Sequence, residues 1–169
     1  NSARFLALAP EIMAVEIGRY GSLGQYPANV LKDGGRPLLQ YPREVLRQTI
    51  DNARSTGIAL RDPVSARIVA YALGSPLENH NEKGVRDDPH HGEGRTFYLQ
   101  ALATLPSVRN LTEIENLLLD LMRQKAAASG FEMISMLIED RFRKTGPPWC
   151  QTAKVVKRVD NYLRSGIRF

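Results

Sequence analysis

Residues Tyr98–Leu118 read YLQALATLPSVRNLTEIENLL. An apolar run, Thr96–Thr104, has the composition of a strand and ends just before Pro106. A short polar loop with Arg109 follows, and a helix is expected from near Thr112, with Leu117 and Leu118 on its apolar face. Thr112 is placed to cap that helix, with Glu115 completing a capping box. The first N–H groups of a helix lack internal acceptors and its dipole favours negative charge, so strand, loop and helix start form an anion site. Without a ligand, the same residues make an ordinary capped helix after a strand.

Downstream, Ile114, Leu117, Leu118, Leu121 and Met122 recur at helical spacing through Glu113–Ser129, and Gly130 stops the helix. Phe131–Ile138 is an apolar strand that Glu139 and Asp140 end. A basic, proline-containing loop, Arg141–Gln151, precedes an expected last helix over Thr152–Arg164, with Val155, Val156, Val159 and Leu163 on one face. Gly166 then caps it and Ile167–Phe169 begins a strand.

Upstream, Ile58–Asp62 and Ala66–Gly74 read as a hairpin, and the nearly all-apolar ARIVAYALG suits a strand covered on both faces. Helices are expected over Pro10–Tyr20 and Pro42–Ser55, the second closed by Gly57, with a loop-rich Gly21–Tyr41 between them. Ser75–Arg95 is a long loop carrying His80, His90 and His91 and the acids Glu78, Glu82, Asp87, Asp88 and Glu93. The element order implies an α/β (α+β) fold: one domain over residues 1–169, with a mixed, mostly antiparallel sheet, one parallel pair and helices on both faces.

The 169 residues suffice for one packed core, and no run of 18 apolar residues marks a membrane span. The opening FLALAPEIMAV contains Glu11 and lacks the pattern of a signal peptide. A single cysteine, Cys150, excludes an internal disulfide and favours a reducing, cytoplasmic setting. The net charge of +5 is concentrated late: eight basic residues lie between Arg141 and Phe169 against Asp160 alone. Such a patch attracts phosphates or an acidic partner, or is a solvated face.

The central stretch resembles the Gcn5-related N-acetyltransferase (GNAT) family, in which a strand ending V-x-P leads to R-G-x-G-x-G/A and a helix with paired leucines. Pro106, Arg109 and Leu117–Leu118 stand in register with that pattern, whereas Asn110, Thr112 and Ile114 replace its small residues. Near the end, Tyr162 and Gly166 match a family pattern Y-x-x-x-G-F on the last helix, with Ile167 for phenylalanine.

This resemblance implies acyl transfer from acetyl-coenzyme A or another acyl-coenzyme A to a primary amine, the pantetheine arm lying between splayed parallel strands. It implies a thioester carbonyl held by backbone N–H near Leu102, Ala103 and Thr104. The diphosphate is expected at Arg109, Asn110, Leu111, Thr112, Glu113 and Ile114, with Arg158 as an added cation. Tyr162 would protonate the leaving thiolate, and Glu78 is favoured over Glu139 as base, with a water chain as a further route. The acceptor is expected to be a small-molecule or peptide amine, and the acidic loop favours a cationic one. The family sheet extends beyond what this reading supplies, so a parent polypeptide or a second copy is expected to complete it.

Two other classes fit parts of the chain. A non-catalytic GNAT-like domain would bind a partner or sense acyl-coenzyme A within a larger protein. A nucleic-acid module would use the basic C-terminal patch, but interleaved aromatics and a recognised motif are missing. The histidine loop has metal-ligand residue types without a fixed ligand spacing, so no metal is expected.

Overall fold

The computed structural model describes residues 7–20, 51–81, 85–139, 154–159 and 162–168. Helix α1 (Ala9–Tyr20) is followed by strands β1 (Thr56–Arg61), β2 (Ile68–Pro76) and β3 (Thr96–Thr104). Helix α2 (Leu111–Ala128) then leads to β4 (Met133–Glu139), β5 (Lys154–Val159) and β6 (Tyr162–Arg168). Residues 42–50 of the expected helix over Pro42–Ser55 lie outside the described residues, as do the Gly21–Tyr41 and Arg141–Gln151 loops, and Gly57, expected to close that helix, is the second residue of β1.

The six strands form one sheet in the order β1-β2-β3-β4-β6-β5. β3 and β4 are parallel and every other neighbouring pair is antiparallel. This is the expected mixed sheet. A right-handed crossover through α2 is the connection that a parallel pair requires.

Alternation along the strands sends side chains to two cores. On one face Ala70, Ala72, Phe97, Leu99, Ile134 and Met136 pack under Leu118, Leu119, Met122 and Ala126 of α2. On the other, Tyr71, Leu73 and Ala103 pack under Ile12 and Val15 of α1. β2 is buried along nearly its whole length, as its uninterrupted apolar composition predicts.

Two turns fix how these layers meet. Gly130, at φ 83°, ends α2 with its N–H on the Ala127 carbonyl and the Phe131 N–H on the Ala126 carbonyl. Both partners of that second bond belong to the core, so the left-handed glycine turns the chain straight into β4. In the β1–β2 hairpin, Asp62 Oδ1 accepts the N–H groups of Val64 (3.1 Å) and Ser65 (2.6 Å). Those bonds, Ser65's first, hold the Asp62 carboxyl below the usual carboxylate range. Arg61 then clamps α1 to the hairpin through a two-pronged bond to Glu11 at 2.9 and 3.0 Å.

One expected element is wrong. Thr152–Arg164 was predicted as a helix, but Lys154–Val159 and Tyr162–Arg168 are two strands of a hairpin, paired from Val159↔Tyr162. Three of the six β5 residues are valines, whose branching restricts them in a helix and suits a pleated surface. The alternation that would have revealed the strand is broken by a bulge between Val155 and Lys157. The sheet continues beyond β4 with this hairpin.

Candidate functional site: the gap between β3 and β4

The parallel pair is joined over three rungs only, Thr96↔Met133, Phe97↔Ile134 and Tyr98↔Ser135. Both strands run on, β3 to Thr104 and β4 to Glu139, without further pairing to one another. On its other side β3 stays bonded to β2 through to Ala70↔Thr104. The pair therefore splays, and among the described strands β3 presents an unladdered edge over its last six residues.

The direction of individual backbone groups follows from one bond. The Leu105 N–H donates to the Val69 carbonyl at 2.9 Å, so it points towards β2. Bonding direction alternates along an antiparallel strand, so the Ala103 N–H also points to β2, while those of Leu102 and Thr104 point to the open side. Of the three residues expected to offer backbone donors, two thus face the gap.

The splay begins at a bulge. Leu73 pairs with Ala101 and Gly74 with Leu99, leaving Gln100 as the extra residue of β3. Phe97 and Leu99 pack on the α2 side, whereas Ala101 and Ala103 pack on the α1 side, so the bulge reverses the phase of the strand. Gly74 permits it: a Cβ there would lie 2.6 Å from the Tyr98 carbonyl oxygen and collide with the Phe97 ring.

From Thr104 the open edge leads through the Pro106–Arg109 loop to the first turn of α2. Thr112 is not the cap. The helix begins at Leu111, with Asn110 as N-cap at φ 60°, ψ 40°, and no side chain makes a capping bond. The Ile114 N–H already donates to the Asn110 carbonyl at 3.1 Å. Helix geometry leaves the N–H groups of Leu111, Thr112 and Glu113 without an intrahelical acceptor. Asparagine suits this position because it tolerates the left-handed region better than most residues. Ile114 is partly buried and packs against the core beneath α2. Arg109, Thr112 and Glu113 are exposed, so the loop carries one cation and one opposing acid.

The remaining predicted residues are placed unequally. β5 runs parallel to β3 and β4, and β6 runs against them, so Glu139, Arg158 and Tyr162 lie at the same sheet end as Thr104. Tyr162 is directly opposite Glu139 in the register of the neighbouring strand. Tyr162 belongs to a strand, not to the expected last helix. Arg158 sits on the edge strand β5, three strands across from β3, not beside the phosphate loop.

Glu78 lies beyond the opposite end, past Pro76↔Phe97. Its Oε1 accepts the N–H groups of Gly94 (2.8 Å) and Gly92 (3.3 Å), closing the long loop on itself. The structure thus groups Tyr162 with Glu139 and separates both from Glu78. The loop's other polar residues also make internal contacts. His80 is buried, with its Nε2 2.6 Å from Ser75 Oγ and its ring edge-on to Tyr98. His91 Nε2 reaches the His80 carbonyl at 3.2 Å. Among the described residues, no group of three or more His, Cys, Asp or Glu is placed to hold a metal.

Gln100, which its place on the central strand brings to notice but whose carboxamide cannot take a proton, has its side-chain Nε2 and Oε1 both sealed from solvent and without a hydrogen-bond partner among the described residues. It is the lone polar residue in the apolar stretch YLQALA.

No protein-family profile matches the chain, and no curated protein matches it in sequence. Solved structures do. The PaiA N-acetyltransferase of Thermoplasma acidophilum, in complex with coenzyme A, superimposes with TM-score 0.66 at 9% identity, over 96% of this chain and 94% of its own. A GNAT-family acetyltransferase of Listeria monocytogenes does so with TM-score 0.66 at 6% identity, over 100% and 91%. The C-terminal condensation domain of Ebony, in complex with beta-alanyl-dopamine, gives TM-score 0.61 at 11% identity, over 97% and 95%. Among the described residues, no helix is long and apolar enough to cross a membrane.

Proposed function

We propose that this chain, which has the GNAT fold, is an N-acyltransferase that moves an acetyl or other acyl group from coenzyme A to a primary amine. The observation that carries the reading is the ladder that stops at Tyr98↔Ser135 while β3 and β4 continue. The unladdered edge of β3 leads to a helix start whose first N–H groups suit a diphosphate. An extended amide-bearing arm laid along that edge would restore backbone bonds that the missing rungs leave unmade.

In the proposed reaction the amine nitrogen attacks the thioester carbon, the C–S bond breaks and the sulfur leaves as a thiolate. The Leu102 or Thr104 N–H would hold the carbonyl oxygen as charge develops there. Tyr162 would return a proton to the sulfur. Glu139, opposite Tyr162 in the register, is the better-placed base for an amine entering at that end. Glu78 would need a water chain, since the nine residues of β3 span about 26 Å at ~3.3 Å per step. The acceptor is proposed to be a small-molecule or peptide amine, and a cationic one if the acidic loop contributes.

A second reading is a non-catalytic domain that senses acyl-coenzyme A or binds a partner. It is favoured by the placement of Tyr162 on a strand rather than on the last helix. One calorimetric and kinetic series separates the two. Coenzyme A binding with turnover on an amine panel, lowered about 10- to 100-fold in Tyr162→Phe, supports the enzyme. Binding without turnover supports the sensor, and absence of binding removes the enzyme and the sensor and leaves the partner-binding domain.

A further inference from the structure

We propose that the loop between β2 and β3 is a strut that sets where β3 and β4 part, and that His80 is its positioning residue, acting through Ser75 and Tyr98. The strut is independent of the acyltransferase reading; its effect on coenzyme A rests on that reading. Ser75, Tyr98 and Ser135 stand opposite one another on β2, β3 and β4. Their row is the last rung that β3 and β4 share. His80 meets this row from the loop. Its Nε2 lies 2.6 Å from Ser75 Oγ, and its ring stands edge-on to Tyr98 with centroids 4.7 Å apart. All four residues are buried.

Apolar contacts carry the loop across the fork. Leu77 and Val85 pack with Tyr98 of β3, and Leu137 of β4 packs against the same cluster. Leu137 lies past Ser135, on the stretch of β4 that has left β3. The loop thus touches one strand at the final rung and the other just beyond it. It is braced from behind, because His91 Nε2 reaches the His80 carbonyl and the Glu78 carboxylate accepts the N–H groups of Gly92 and Gly94. A buried polar group costs free energy unless it is hydrogen-bonded, and apolar side chains would fill the same space without that condition. A satisfied buried polar contact instead selects one geometry. Here the geometry selected is that of the last rung. A slip of one residue along the strand would move the start of the open edge by about 3.3 Å.

The test compares the full chain with His80→Phe, which keeps a ring against Tyr98 and loses the contact to Ser75. Ser75→Ala removes the same contact from β2 should the first variant fail to fold. His80→Gln is the conservative variant, since its amide nitrogen can take the place of the ring Nε2. Residue-resolved amide hydrogen exchange is measured without ligand, and coenzyme A is then titrated by calorimetry. In His80→Phe the amides that bridge β3 and β4 from Thr96↔Met133 to Tyr98↔Ser135 should exchange about 10-fold faster, and those of Ala70–Ala72 should not change. Coenzyme A affinity should fall about 5-fold in the same variant and return to within about 2-fold of wild type in His80→Gln. Unchanged exchange at the bridging amides overturns the proposal. A rise that is equal at Ala70–Ala72, or loss of the fold in both Ser75→Ala and His80→Phe, also overturns it, because the pair would then hold the whole domain and not the fork. Faster bridging amides with unchanged coenzyme A affinity overturn the positioning role and leave the acyltransferase reading intact. Wild type that does not bind coenzyme A removes that reading, while the exchange pattern still decides whether the strut sets the fork.

Discussion

The two edges of β3 are treated differently by the same fold. Towards β2 the strand is bonded from Pro76↔Phe97 to Ala70↔Thr104, with a single bulge. Towards β4 it is bonded over Thr96–Tyr98 and then released. The closed edge meets the general requirement that buried backbone groups be paired. On the open edge, none of the described strands pairs with the last six residues of β3. Local departures from a rule kept elsewhere mark function more often than error. Stability should therefore reside on the closed side and in the α2 core, and ligand response on the open side.

The strongest way to break that division is to hollow the core on α2. Leu118 is fully buried and its neighbour Leu117 is 46% exposed. Leu118→Ala should cost about 2–5 kcal/mol in urea unfolding and Leu117→Ala less than about 0.5 kcal/mol. Equal effects would mean that the paired leucines do not divide between core and surface. Next, Gly74→Ala forces a Cβ against Phe97 and the Tyr98 carbonyl at the bulge, and should cost about 1–3 kcal/mol by the same measurement. A neutral result would show that the bulge can shift and that its position is not fixed by the closed edge.

Substitution at Asn110 sharpens the contrast, because this residue serves the open side. With φ at 60°, valine should lose about 1–2 kcal/mol while glycine stays within about 0.5 kcal/mol of wild type. Coenzyme A affinity should follow the same order. The smallest expected effect is the acid response of the α1 clamp. Arg61, by its hydrogen bond, holds the Glu11 carboxyl below its ordinary value. A depressed carboxylate contributes stability above its unfolded pKa and loses it as pH falls through the folded one. The urea midpoint should therefore decline slightly between about pH 5 and about pH 3, and decline less in Glu11→Gln. Identical declines would remove the clamp from the account.

Much of this was legible in order and type. Thr96–Thr104 has the bounds read from its apolar run, and Gly130 closes α2 as its sequence position implied. The cores could be read from periodicity because α2 and β2 keep one period throughout. The failures share a cause. A bulge resets a two-residue period, so the phase change at Gln100 and the strand around Val156 leave no pattern in a window of one strand. Capping failed for another reason: Thr112 has the right side chain, but Asn110 takes the left-handed conformation first and moves the helix start back to Leu111. The splay itself is a property of pairing between distant segments, which no local pattern encodes. It was anticipated only through the family resemblance.

The central claim is that the open edge of β3 is where the acyl donor lies. Residue-resolved amide hydrogen exchange, with and without saturating coenzyme A, tests it most directly. The account predicts that the Leu102 and Thr104 amides gain protection on binding, while Ala103, already bonded towards β2, changes little. Binding that leaves Leu102 and Thr104 unaltered, or protects Ala103 as much as its neighbours, would contradict it.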